Sequence, residues 1–306
     1  MGEDISVRKL SDEYKVSTKS IARSISELKN FLADHRELTG NADLQYSYSD
    51  KCYHLHMDRF LSGKELFSLL EIAIGARAFS KAELTLLINK LKRFITPEER
   101  SEISNLISKE MLHYAEIKHD CESVQDNLWK LAGCITDRKE ITIGYFRMDR
   151  KWVTHRLIPA SIMFADYYFY LIAFRVGEEE EKPFYFRIDR IEQITVHRTV
   201  SDKTGRCDFD EGMLRKRSLF MWPGKLRTIR FQFGGPSVQA VLDKLPTARI
   251  VKRQEDNKYL IEAEVYGDGI KMWLLSQGSW VKVISPPEFA EDMKTEIKKM
   301  SDNYNE

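Results

Sequence analysis

Two arginines in one aromatic-rich stretch carry the first chemistry of this chain. Arg156 lies in Thr154-His155-Arg156-Leu157-Ile158-Pro159, and Arg187 lies in Phe184-Tyr185-Phe186-Arg187-Ile188-Asp189-Arg190-Ile191. Between them runs Tyr167-Tyr168-Phe169-Tyr170-Leu171-Ile172-Ala173-Phe174. A guanidinium is a planar fork that pairs with phosphate or carboxylate, and aromatic rings stack on bases. Around Arg187 the side chains alternate. Phe184, Phe186 and Ile188 share one face, and Tyr185 and Arg187 the other. A sheet that hides the first set and shows the second suits an anionic or aromatic ligand. A purely structural account stays open beside this one. In it Asp189 and Arg190 form a salt bridge or cap the turn, and Tyr170 is a core tyrosine with its hydroxyl at the edge.

The second chemistry lies at residues 17–30. Ser17 is an N-cap candidate, and Ile21, Ile25 and Leu28 share a helical face. Lys19, Arg23, Ser26 and Asn30 point the other way. Such a helix can present Ser17, Thr18, Lys19, Ser20 and Arg23 to base edges and phosphates, with its N-terminus itself favouring phosphate. Periodicity alone favours an ordinary solvated helix, since most amphipathic helices bind no DNA. The short helix over Ser6–Tyr14, with Val7, Leu10 and Tyr14 inward, the turn at Lys15-Val16 and a two-stranded wing over 44–55 favour DNA reading. A third set, Cys52, His54 and His56, shares a strand face. It lacks a fourth ligand and zinc-type spacing, so it reads as a wing strand with surface histidines and no metal.

These groups need scaffolding, and the chain supplies it. Its 306 residues suit two or three domains, and a hydrophobic fraction of 42% is enough for cores. The formal net charge is +1, so any nucleic-acid contact must rest on local patches. Cys52, Cys121, Cys134 and Cys207 are scattered, as reduced thiols are in a cytoplasmic protein. No signal core or membrane-spanning apolar run is present in the sequence. Ser62, Ser80 and Thr96 are expected to cap three helices over 62–112, with Leu84, Leu87, Ile88 and Leu91 packing inward. A helix over 122–138 buries Val124, Leu128, Leu131 and Ile135. Strands follow at 140–147, 151–158, 161–165, 167–174, 183–188 and 193–198, the pattern of a small barrel. Glu178 to Glu181 reads as a solvated hairpin loop, and a linker holds Gly205, Gly212, Pro223 and Gly224. Beyond it come strands near 226–233, 248–253, 259–265 and 280–284 and helices near 236–244, 268–277 and 287–300. No phosphate-binding glycine loop, nucleophile elbow or His-Glu-x-x-His motif appears, so enzyme readings fare poorly and no cofactor is expected.

Residues 10–28 resemble the winged helix-turn-helix of DeoR-like bacterial regulators. Members usually carry a further helix before this point, and only Met1 to Asp4 precede the first one here, so either the N-terminus is truncated or that helix is missing. The stretch 120–200 resembles the WYL domain, with Phe169-Tyr170-Leu171 at the triplet, so that Phe replaces the Trp. Arg156 before Pro159 and the Phe186–Ile191 motif match better. Residues 271–278 and 281–287 resemble the extension that follows such domains, where Trp273 is expected in the core.

The resemblance implies an α+β multidomain protein. Its parts are a winged helix-turn-helix (1–57), a helical connector (58–119), an Sm-like small β-barrel of WYL type (120–205) and a C-terminal α+β extension domain (226–306). It further implies that Tyr145, His155, Arg156, Tyr170, Arg187 and Arg190 line or support a pocket for a nucleotide or single-stranded nucleic acid. The expected protein is a cytoplasmic, homodimeric transcription regulator on a double-stranded operator, with no membrane partner. The runner-up is a single-stranded nucleic-acid-binding accessory protein. A third possibility is a structural dimerisation protein whose DNA module has decayed.

Overall fold

Short hydroxyl side chains in extended conformation set where most helices begin. The computed structural model describes residues 5–36, 42–56, 61–177, 183–200 and 210–305. The expectations placed on Met1–Asp4, Glu178–Glu181, Gly205 and Cys207 lie outside these residues, as does the His56 side chain. The chain divides into two units, 1–117 and 118–306.

In the first unit, Ser6 caps α1 (Val7–Tyr14) and Ser17 caps α2 (Thr18–Asp34). Lys15 ends α1 in a left-handed conformation, φ 54°. Strands β1 (Asp43–Ser47) and β2 (Cys52–His56) pair antiparallel as the expected wing, with Leu44 opposite Leu55. Leu32, Ala42 and Leu44 form a small core with Ile5 and Tyr53 against it. One expectation needs correction. No residue of α1 is fully buried, and Tyr14 is 65% exposed rather than inward. The core there is too small to cover a whole helical face.

Three capping boxes start α3 (Gly63–Ala76), α4 (Lys81–Leu91) and α5 (Pro97–Leu112), at Ser62, Ser80 and Thr96 as expected. The helices bury Leu66, Leu70, Ile74, Leu84, Ile88, Ile103 and Ile107 together. Each such side chain contributes roughly 1.5–3 kcal/mol on burial. Glu99 also accepts the Gly63 backbone N–H at 2.9 Å, which ties the start of α5 to the start of α3.

In the second unit, α6 (Val124–Thr136) packs Leu131 and Cys134 on a sheet of β3 (Lys139–Phe146), β4 (Trp152–Ala165), β5 (Tyr168–Arg175), β6 (Phe184–Arg187) and β7 (Ile191–Val200). The strand order is β6-β5-β4-β3-β7, all antiparallel. A 3-10 turn, Ile188–Arg190, joins the two strands at the ends of that order. The expected strands at 151–158 and 161–165 are one continuous strand, β4. Pro159 sits where the β4–β5 register shifts between Pro159 and Ser161. A bulge tolerates the missing N–H without ending the strand.

The stretch read as linker also contains a helix, α7 (Glu211–Arg217), which Asp210 caps. Then follow β8 (Leu226–Phe233), α8 (Val238–Lys244), β9 (Arg249–Arg253), β10 (Tyr259–Tyr266), α9 (Gly269–Ser276), β11 (Val281–Ser285) and α10 (Pro287–Asp302). This is a βαββαβ succession in the order β11-β8-β10-β9. Its core holds Phe231, Ile261, Val265, Trp273 and Phe289, so Trp273 is a core residue as expected. All five residues of β9, an edge strand, are exposed. Among the described residues no helix is long and apolar enough to cross a membrane.

Candidate nucleic-acid and anion interface

The start of α2 offers donors and positive charge, with no acid in its first turn. The Ser17 side chain accepts the Ser20 backbone N–H at 3.2 Å, so its oxygen is engaged in capping. Thr18, Lys19, Ser20 and Arg23 are exposed; Lys19, Ser20 and Arg23 face away from the buried Ile25 and Leu32, Ile21 is half-buried, and Leu28, expected on the inward face, is 42% exposed. Arg23 pairs with Glu27 at 3.0 Å, both ends largely in solvent. Such a pair is worth little and yields readily to a phosphate. All five residues expected to touch DNA thus fall along one exposed helix start. The wing turn presents two further side chains that the sequence reading did not single out. Tyr48 is 88% exposed at the hairpin turn, and Lys51 holds a left-handed φ of 54° there. In the wing strand His54 pairs with Asp50 at 3.4 Å.

The six residues expected to hold a ligand do not converge. Alternation along the strands divides them between the two faces of the sheet. Tyr145 packs against the core under α6, edge-on to Phe186 at 5.5 Å, and His155 lies 5.2 Å from the same ring. Burial pushes the Tyr145 phenol upward, while hydrogen bonds from the Arg187 backbone and the Arg190 guanidinium pull the other way. Arg190 therefore supports Tyr145 from the 3-10 turn.

On the opposite face lie Arg156, Tyr170 and Arg187. Arg156 directs Nε and Nη2 to one oxygen of Glu140, at 3.1 and 2.8 Å. The Glu140 side chain is 9% exposed, yet that of Arg156 is 56% exposed. Arg187 is held differently. It grips Asp189 through two bonds of 3.0 and 2.6 Å and lies over the Tyr168 ring, 3.3 Å from its centroid. Their side chains are 18% and 5% exposed. Burial disfavours the Arg187 charge, but the Asp189 bond and charge more than offset this and raise its pKa. Tyr170 packs with Met163, Ile172, Leu214 and Met221, and burial pushes its hydroxyl up to about 12. Of the six, Arg156 alone combines a guanidinium with more than half exposure.

One further residue on this face escaped the sequence reading. A Cβ on Gly144 would stand 2.3 Å from the six-membered ring of Trp152, so the indole fills the space above the glycine. The only trace of this in the sequence is a glycine inside a strand. Grooves of about 570 Å³ beside α3 and 730 Å³ near β9 are lined by other residues.

Residues 126–196 match the WYL domain and residues 225–301 the WCX domain. Comparison with curated proteins gave no match. Among solved structures, the proteasome accessory factor B/C (PafBC) of Arthrobacter aurescens aligns at 15% identity and a TM-score of 0.31. The alignment covers 99% of this chain and 46% of that one, so this chain spans less than half of its length. A structure described as a CRISPR Cas-related protein aligns at 14% identity and a TM-score of 0.41, over 100% of this chain and 94% of the other.

Proposed function

From a chain that carries a WYL domain followed by a WCX domain, we propose a transcription regulator without enzymatic activity. It acts in the cytoplasm as a homodimer. Its winged helix reads a double-stranded operator, and its WYL domain takes a nucleic-acid fragment or nucleotide-like anion. The observation that carries the DNA reading is the start of α2. A capped helix presents Thr18, Lys19, Ser20 and Arg23 to solvent, with a paired wing in the same unit. That is the equipment for a major-groove helix flanked by backbone contacts. For the ligand, Arg156 is the leading contact, because its guanidinium stays accessible while Glu140 holds it in place.

Regulation then follows from linkage. A ligand shifts operator affinity only if it binds the DNA-competent arrangement and its alternative unequally. The test is genome-wide recovery of DNA bound to the tagged chain. An enriched two-fold-symmetric sequence, lost in Lys19→Ala/Arg23→Ala, is the expected result. Recovery without sequence enrichment would overturn the regulator reading in favour of a general nucleic-acid-binding accessory role.

A further inference from the structure

We propose that the free edge of β9 takes an extended acidic segment of a partner protein as an added strand, with acids at alternate positions around an apolar residue. The proposal is independent of the operator and anion readings above.

Strand β9 (Arg249–Arg253) closes one side of the C-terminal sheet and pairs only with β10 among the described residues. Its other backbone edge is open, a template for one more strand. The register assigns its side chains. Arg249 lies opposite Glu262 and Lys252 opposite Leu260, while Ile250 lies opposite Ile261 between them. Ile261 belongs to the core that the helices cover, so Ile250 faces the helix side, and Arg249 and Lys252 share the other face. The register shift at Val251 is what brings Arg249 and Lys252 to neighbouring places on that face.

Arg230 of β8 joins them there. Arg230 and Arg249 both donate to Glu262, whose side chain is 12% exposed against 51% and 74% for the two arginines. Two guanidiniums on one carboxylate leave one positive charge over, and exposed Lys252 adds another. Arg253 adds a third beside the Tyr259 ring, 5.7 Å from its centroid. Beyond the strand, Glu255 and Asp256 outnumber Lys258, so the stretch that favours acids ends with β9.

Charges on a border strand also keep it from pairing with its like, and that accounts for the cations. It does not account for Ile250 and Val251, 43% and 45% exposed in mid-strand. An added strand brings an apolar side chain beside them and sets acids about 7 Å apart, at the usual rise, beside Arg249 and Lys252. A second copy of β9 would bring cations to cations. A phosphate backbone would use the cations and leave the strand edge and the two apolar side chains unmatched.

The experiment is fluorescence anisotropy of the full chain with a labelled, end-capped peptide, Glu-Val-Glu-Val-Glu. Two further peptides carry N-methyl groups, one on its valines and the other on its glutamates. Successive N–H groups of a strand point to opposite edges, so only one methylated set would meet β9. One of these peptides should bind as the parent does and the other should lose most of its affinity. Lys252→Glu is expected to weaken the parent peptide roughly 2- to 30-fold, an exposed ion pair exchanged for a like-charge pair. Lys282→Glu makes the same charge change on β11, the opposite border strand. Three strand spacings away and beyond the screening length, it should leave affinity within about twofold. Amide exchange over 249–253 should slow when the peptide is added. If both methylated peptides bind as the parent does, no strand is added and the proposal falls. If Lys252→Glu and Lys282→Glu weaken binding alike, the peptide senses net charge and not this edge. If the peptide does not bind, the proposal falls as well, and a DNA duplex that binds the wild type but not Lys252→Glu would make the face a nucleic-acid patch. If sedimentation shows a dimer that Lys252→Glu dissociates, the edge belongs to a second copy instead.

Discussion

Replacing Asp189 with alanine should destabilise the second unit without touching a ligand. The carboxylate is 5% exposed and takes two bonds from Arg187, whose guanidinium is 18% exposed over Tyr168. Its removal strands a mostly buried cation with no countercharge. Breaking a buried pair in this one-sided way costs about 3–5 kcal/mol. For a unit of 118–306, each kcal/mol lowers the melting midpoint by about 2–4 °C, so the expected fall is roughly 6–20 °C. Arg187→Met should cost a similar amount, since it leaves the carboxylate buried alone. The double variant Arg187→Met/Asp189→Leu should recover much of the loss, because neither charge is then abandoned. Urea unfolding followed by near-ultraviolet circular dichroism on all four proteins closes the cycle. A coupling below about 1 kcal/mol refutes the brace. So does an Arg187→Met protein that melts normally but loses oligonucleotide affinity, since Arg187 would then be a ligand contact.

Glu99 is held below the usual carboxylate range, chiefly by the Gly63 N–H and then by the Thr96 N–H. A lowered folded value means its stabilisation is full above the ordinary glutamate pKa and is lost as pH falls through the lowered one. Glu99→Gln should cost about 1–2 kcal/mol at neutral pH and flatten the acid limb of the stability curve; an acid limb as steep as the wild type's would count against it. Arg23→Ala should reduce the salt slope of operator binding by about 1 and leave stability within about 0.5 kcal/mol, because its pair with Glu27 is exposed. An unaltered slope argues against a phosphate contact. Glu140→Gln should tighten oligonucleotide binding several-fold, because the phosphate no longer competes for the Arg156 fork. Unchanged affinity would mean that Arg156 does not let go of its carboxylate.

Much of the fold was legible because its signals are local. Ser17, Ser62, Ser80 and Thr96 each cap the helix expected of them, since a cap needs only a hydroxyl and the next three residues. Strand periodicity placed β3, β5 and the C-terminal sheet closely. It failed at Pro159, where proline reads as a break and a bulge carries the strand through. It failed again at α7, where Gly212 and its neighbours suggested a linker and Asp210 starts a helix. The candidate site was harder, because contacts at a distance decide it. Arg156 and Arg187 look alike in sequence. One meets Glu140 across a strand pair and stays open, and the other folds onto Asp189 through a 3-10 turn and is enclosed. Trp152 over Gly144 depends on hairpin register, which neither residue announces by itself.

The exposed border strand β9 has a bearing on solubility. Arg249-Ile250-Val251-Lys252-Arg253 would be an adhesive segment if it were apolar throughout, because its outer backbone groups are ready to pair with another chain. Two copies laid antiparallel about Val251 would set Arg249 against Arg253 at both ends, where Glu262, bonded to Arg249, offsets part of the charge. The repulsion that remains discourages fibre-like stacking while leaving the strand open to an acidic visitor. Around 1 M salt, where charges are screened beyond about 3 Å, the safeguard weakens, and clumping during refolding should then begin at this border.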